Sequence, residues 1–223
     1  MGVKELIHAR IAKSEMQKTV DRLLEASSLR AGFFIHLFLS AGIATLGLLE
    51  GNTAIVIGAM VIAPLLTPLL CLSLGVLSFK PKMIIYGLQA TVLGSVLGIL
   101  SGAAIVFLFG KTTVPAELLD LYTFHNYDFL MIALLSGMAG AYASLNPRRN
   151  EELIGVAIAA ALVPPLAFAG IALGLQEMEL FKDVLVLYLV NLLATSIGAM
   201  IVYGLFLAKN KVNPEEIVEK DVN

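Results

Sequence analysis

The chain has 223 residues, 58% hydrophobic and 14% charged, with a formal net charge of −2 and a mean hydropathy of +0.88. Soluble domains carry about 25% charged residues, so there is too little polar side chain here to coat a soluble globule of this size. No basic excess points to nucleic acid as a partner, and the lone cysteine, Cys71, cannot form an intrachain disulfide and reads as a small packed hydrophobe.

Residues 1–30 form the first unit. Lys4, Arg10, Lys13, Lys18, Arg22 and Arg30 interleave with Glu5, Glu15, Asp21 and Glu25. No short basic start leads into a compact apolar core with a small-residue cleavage site, so a secretory signal is not expected. Val3, Leu6, Ile7, Ile11, Met16, Val20, Leu23 and Leu24 make an irregular apolar stripe. The pattern predicts an amphipathic helix that lies on the membrane, packs on the chain's own spans, or serves as a cytoplasmic oligomerisation or gating helix.

Six apolar runs of spanning length follow, at 31–49, 53–78, 82–109, 129–145, 152–174 and 181–208. Between the third and fourth lies "GKTTVPAELLDLYTFHNYD" (110–128). Pro115 suits a first helical turn, and Leu118, Leu119, Leu121, Tyr122 and Phe124 predict an interfacial helix with a locally acidic surface. Residues 209–223 are a polar tail. With the N-terminus inside, thirteen Lys and Arg fall on inside segments, and only Lys111 and Lys182 fall outside. That bias predicts a multi-pass protein of the cell (plasma) membrane, in contact with the lipid bilayer, with both termini cytoplasmic.

The second run contains "GAMVIAPLLTPLL" (58–70), with Pro64 and Pro68 on either side of Thr67. A proline in a helix interior removes a hydrogen bond and clashes with the preceding turn, at about 3 kcal/mol. The fifth run carries Pro164 and Pro165 next to its midpoint at Val163. Both runs are therefore expected to break near the bilayer centre. Placing "GAMVIAPLLTPL" (58–69) over "GVAIAAALVPPL" (155–166) matches Gly58 with Gly155, Ala63 with Ala160, Pro68 with Pro165 and Leu69 with Leu166, an offset of 97. Ser40 aligns with Ser136 and Leu49 with Leu145 at offset 96, and "ATVLG" (90–94) aligns with "ATSIG" (194–198) at offset 104. Three spans per half is an odd number, so the halves would be inverted. The expected fold is an all-α integral membrane protein of six helices in two inverted-topology repeats, 31–109 and 129–208, with broken second and fifth helices.

Broken backbone at that depth must be buried in protein or line a water-filled cavity. The half-helix N-termini and the freed carbonyls would meet at the midplane, with Thr67 as the cap before Pro68. The candidate substrate or permeation residues are Pro64, Thr67, Pro68, Val163, Pro164 and Pro165, with Gln89, Thr91, Asn191 and Thr195 from the third and sixth spans. No Asp, Glu, Lys or Arg lies in the interior of any span, away from its ends, which favours a channel-like, uncoupled or backbone-lined path. His8, His36 and His125 show no metal-ligand spacing and no catalytic motif is present, so no enzymatic activity, cofactor or metal is expected. Gly94, Gly98 and Gly102, and Ala133, Gly137 and Ala141, suit close helix contacts within the chain or between subunits of a homo-oligomer.

"GAMVIAPLLTP", "AALVPPLAFAG" and "NLLATSIGA" resemble the archaeal and bacterial membrane proteins grouped as domain of unknown function 389, over roughly residues 30–208. The resemblance implies a prokaryotic integral membrane protein and brings no substrate with it. The expected function is a membrane channel or transporter for a small solute or ion. The alternative is a non-transporting scaffold or sensor acting through the N-terminal helix.

Overall fold

Residues 3–110, 127–145 and 162–214 are described in the computed structural model, with side chains from residue 10 in the first stretch and from 128 in the second. The expected interfacial helix at 111–126, the first half of the fifth run at 152–161 and the tail beyond 214 lie outside the described residues.

The described chain forms eight helices: α1 (Val3–Ala26), α2 (Ala31–Leu49), α3 (Thr53–Ile62), α4 (Leu66–Leu77), α5 (Pro81–Phe109), α6 (Tyr127–Leu145), α7 (Val163–Gly174) and α8 (Met178–Asn210). Four of them, α2, α5, α6 and α8, are long and apolar enough to cross a membrane. The pair α3 and α4 passes the same test together, bent by 53° at the break between them. At 1.5 Å per residue the 33-residue α8 is about 50 Å long, well beyond a hydrocarbon core of about 30 Å.

The predicted break in the second run is real. Ala63 is extended (φ −69°, ψ 120°), and α4 restarts at Leu66 after Leu65. Thr67, however, is not the cap. Leu65 occupies that position with no side-chain cap bond, Thr67 is the second helical residue and Pro68 the third. Proline is tolerated there because first-turn N–H groups have no intrahelical partner. α7 opens in the same way: Leu162 is an N-cap without a side-chain bond, and Pro164 and Pro165 are its second and third residues.

Contacts fix the direction of each helix. Gly42 and Thr45 of α2 meet Ser101 and Gly102 of α5, and Leu37 meets Gly94, so α2 and α5 run parallel. α3 returns along α2, with Gly47 against Val56 and the Ser40 hydroxyl donating to the Ala59 carbonyl at 2.8 Å. α4 is antiparallel to α5, with Gly75 against Met83 and Leu72 against Gly87. α7 runs parallel to α5, Leu166 meeting Gly98 and Gly170 meeting Gly102. α8 turns back from α7, and its Tyr188 hydroxyl pairs with Ser95 of α5 at 2.6 Å. α6 lies parallel to α8, with Gly137 against Thr195 and Ser144 bonded to Tyr203 at 2.8 Å. The small-residue faces therefore serve contacts within the chain. At Gly137 and Gly198 a Cβ would run into the facing backbone, at Thr195 and Leu134 respectively.

Two parts of the chain have the same local geometry. α2 and α6 are both 19 residues long and start 96 residues apart, while α4 and α7 are both 12 residues long and start 97 apart. The turn after α4 bonds Ser78 N to Leu74 O, Phe79 N to Val76 O, Lys80 N to Gly75 O and Ile84 N to Lys80 O. The turn after α7 repeats all four at offset 97: Leu175 to Ile171, Gln176 to Leu173, Glu177 to Ala172 and Phe181 to Glu177. Phe79 (φ 53°) and Gln176 (φ 63°) hold the same left-handed position. α5 and α8 also begin 97 apart. The offset of 104 read from "ATVLG" and "ATSIG" is thus wrong for this register, because α5 and α8 are continuous and no seven-residue insertion lies between their starts and these segments. Seven residues are close to two helical turns, so the same kind of small-residue face recurs there.

The core lies around α7, whose residues Val163–Ala172 are all buried. α1 packs across α4 and α6 through Ala12, Met16, Val20, Leu23 and Leu24. The expected stripe shifts by one residue at its middle, since Ile11 is 54% exposed and Ala12 is buried.

Candidate functional site

α4 and α7 start beside the same part of α5. A Cβ at Gly94, the fourteenth of the 29 residues of α5, would stand 3.2 Å from the Leu65 side chain, and one at Gly98 would stand 2.5 Å from Leu166. From this level α4 runs toward the end where α1 sits and α7 runs toward the opposite end. Two helix N-termini, each with its positive half-dipole, thus approach the middle of α5 from opposite directions.

An open cavity of about 740 Å³ reaches the α3–α4 break from the α1 end. Its inner wall is Met60, Ala63, Pro64, Leu66, Thr67 and Leu70. Its outer wall combines Thr19, Arg22 and Glu25 of α1, Ser28 and Arg30 of the link, Phe33 and His36 of α2, and Gly140, Ala143 and Ser144 of α6. The Arg22 guanidinium donates to the Ser144 carbonyl at 3.0 Å, and the Thr19 hydroxyl donates to the same oxygen at 3.1 Å. A cation over the last turn of α6 suits the negative end of that helix. Arg30 and Glu25 form an exposed ion pair at 3.5 Å. His36 Nδ1 lies 2.7 Å from the Gly32 carbonyl. The chamber is therefore apolar at the break and polar with charges of both signs at its mouth.

Of the ten candidate residues, Pro64 and Thr67 line this cavity. Pro68 is buried behind them, its carbonyl against Gly87. Val163, Pro164 and Pro165 are buried in the core and are not among the cavity's lining residues. Gln89 points outward on the exposed face of α5, beside Leu88, Val92 and Leu93. Thr91, Asn191 and Thr195 are buried within the helix packing, away from the cavity lining. The hydroxyls of Thr91 and Thr195 have no hydrogen-bond partner among the described residues. Arg22, Glu25, Arg30, His36 and Ser144 were not among the candidates. For Arg22 alone the sequence held a signal, the α1 stripe, which places Thr19 and Arg22 next to buried Val20 and Leu23. Among the described residues no three His, Cys, Asp or Glu side chains form a metal-binding group.

No solved structure matches the chain. It is 27% identical over 181 residues to an uncharacterised protein of Methanocaldococcus jannaschii, a match covering 77% of this chain and 53% of that protein. The chain thus spans about half the length of the curated relative it matches. The family described as "Domain of unknown function (DUF389)" matches residues 60–197, which include the α3–α4 break, all of α5 and α7 and most of α8. The chain belongs to the DUF389 family, whose function is unknown.

Proposed function

We propose that this protein is a six-span channel or transporter for a small solute or ion, built as two inverted three-span repeats, with its path through the cavity at the α3–α4 break. The observation that carries the reading is the cavity itself, a chamber large enough for a small solute that ends on interrupted backbone beside the middle of α5. Non-helical backbone at membrane depth is tolerated where it lines such a cavity or is buried in protein.

The matched lengths and turns at offsets 96 and 97 support the repeat, and the opposed directions of α5 and α8 support its inversion. Counting α3 with α4, and α7 with the apolar residues before it, gives six passes whose directions alternate. The Lys and Arg distribution supports a plasma-membrane protein with cytoplasmic termini and α1 at the cytoplasmic face.

The test is solute entry into proteoliposomes, followed by stopped-flow light scattering with a panel of small neutral, anionic and cationic solutes. Wild-type protein should speed entry of at least one solute over protein-free liposomes. Thr67→Trp should lower that rate at least tenfold while the protein remains monodisperse. No acceleration for any solute would sink the reading and leave the scaffold alternative. Removing α1 cannot make this distinction, because Met16, Val20, Leu23 and Leu24 belong to the core.

A further inference from the structure

α5 is held on its inner side by α2, α4 and α7, and its outer side is bare. Of the four long spans it is the least covered: 28% of its most apolar stretch is buried, against 39% to 50% for the other three. The bare side is apolar except at one place. Ile85, Val92 and Val96 are each at least 50% exposed, and Gln89 is exposed among them. The Gln89 amide has no hydrogen-bond partner among the described residues. Gln89 stands six residues from Ser95, the midpoint of α5, which is about 9 Å along the axis. The hydrocarbon core reaches about 15 Å to either side of its centre. A helical side chain leans toward the N-terminus, but glutamine is too short to carry its amide across the remaining distance of about 6 Å. Hydrocarbon offers an amide nothing to bond, so polar side chains at this depth pair with other helices.

We infer that the outer face of α5 is the interface of a homodimer, with Gln89 bonded to Gln89 of a second copy of this chain. Ile85, Gln89, Val92 and Val96 are four, three and four residues apart, the spacing of a seam along which two helices cross at about 20°. Copies of one chain carry the same Lys and Arg distribution and enter the membrane in the same orientation. Two of them are related by a two-fold axis along the membrane normal, so their α5 helices run parallel and each residue of the seam meets its own counterpart. A glutamine amide both donates and accepts. Two of them exchange a pair of hydrogen bonds, Nε2–H of each to Oε1 of the other, and this self-complementarity singles out a second copy as the occupant. One polar residue in an otherwise apolar seam also fixes the register of the pair. α6 and α8 expose apolar residues such as Leu135 and Leu193 with no amide among them, and lipid alone suffices there. The interface does not depend on the transport reading.

The test is disulfide cross-linking of the full chain in membranes, with single cysteines in a Cys71→Ala background and copper phenanthroline as oxidant. Val92→Cys and Val96→Cys should each give a covalent dimer, because equivalent seam positions face each other across the axis at bridging distance. Leu135→Cys on α6 and Leu193→Cys on α8, at least as exposed, should stay monomeric. Affinity is read by single-molecule photobleaching of copies labelled at Gln176→Cys and diluted into lipid vesicles. Gln89→Leu should raise the dimer dissociation constant about tenfold, the worth of two interhelical hydrogen bonds, and Gln89→Asn should hold it within about threefold of wild type. Gln89 faces away from the helix packing, so both variants keep the fold, which far-UV circular dichroism checks. The inference is overturned if positions 92 and 96 give no dimer, if positions 135 and 193 cross-link as readily, or if Gln89→Leu pairs as tightly as wild type.

Discussion

Replacing Gly137 by alanine tests how tightly α6 and α8 are joined. A Cβ there would overlap the Thr195 carbonyl oxygen and stand 2.7 Å from its carbon and 2.9 Å from its Cα. An ordinary carbon contact begins near 3.4 Å, so α8 must retreat by roughly an ångström or more to clear the carbonyl. The obstructing atoms are backbone and cannot rotate away. Overpacking of this kind costs about 1–3 kcal/mol, and the severity of the overlap places Gly137 at the upper end. Alanine recovers about 1 kcal/mol of helix propensity, leaving a net loss of about 2 kcal/mol, on the order of a 30-fold shift toward the unfolded state. Gly58 of α3 is the control, since nothing lies within 4 Å of the position its Cβ would take. Gly58→Ala should be neutral or stabilising by up to about 1 kcal/mol. Denaturant unfolding in detergent micelles, followed by far-UV circular dichroism, measures both. Equal stabilities for Gly137→Ala and Gly58→Ala would refute the packing argument.

Thr195→Val should leave stability unchanged or raise it, because the buried hydroxyl it removes has no partner among the described residues and an unsatisfied buried hydroxyl costs about 1–3 kcal/mol; a clear loss in the same unfolding assay would show that the hydroxyl is used. Arg22→Ala removes the bond to the Ser144 carbonyl and the cation at the end of α6. A loss of about 0.5–1 kcal/mol is expected, seen as faster hydrogen exchange across α1, and unchanged exchange would contradict that role.

The break, and the matched starts of α4 and α7, were legible because proline acts locally. Pro64, Pro68, Pro164 and Pro165 restrict their own backbone whatever surrounds them, and helices of fixed length keep a fixed offset. The match at 104 misled because Ala, Thr and Gly recur on any close helix face, so a shift of two turns brings like residues together. Gln89 misled for another reason. A polar residue in an apolar run does not say which way it faces, and on α5 the inward positions belong to Gly87, Ala90, Thr91 and Gly94. The cavity mouth was hidden because it is assembled by α1 docking across α4 and α6, a contact between distant segments that hydropathy does not carry. Pro164 was read as facing the site, but α7 is buried through Ala172 by α5, α8 and α2, which only their packing against it reveals.

The central claim is that equivalent turns of two inverted repeats lie on opposite faces of one membrane. Phe79 and Gln176 occupy matched left-handed positions 97 residues apart, and both are exposed. Cysteines placed at each, again in a Cys71→Ala background, can be labelled with an impermeant maleimide in sealed vesicles. The account predicts that Phe79→Cys reacts from the side that carries α1 and Gln176→Cys from the other. Labelling of both from the same side would contradict it.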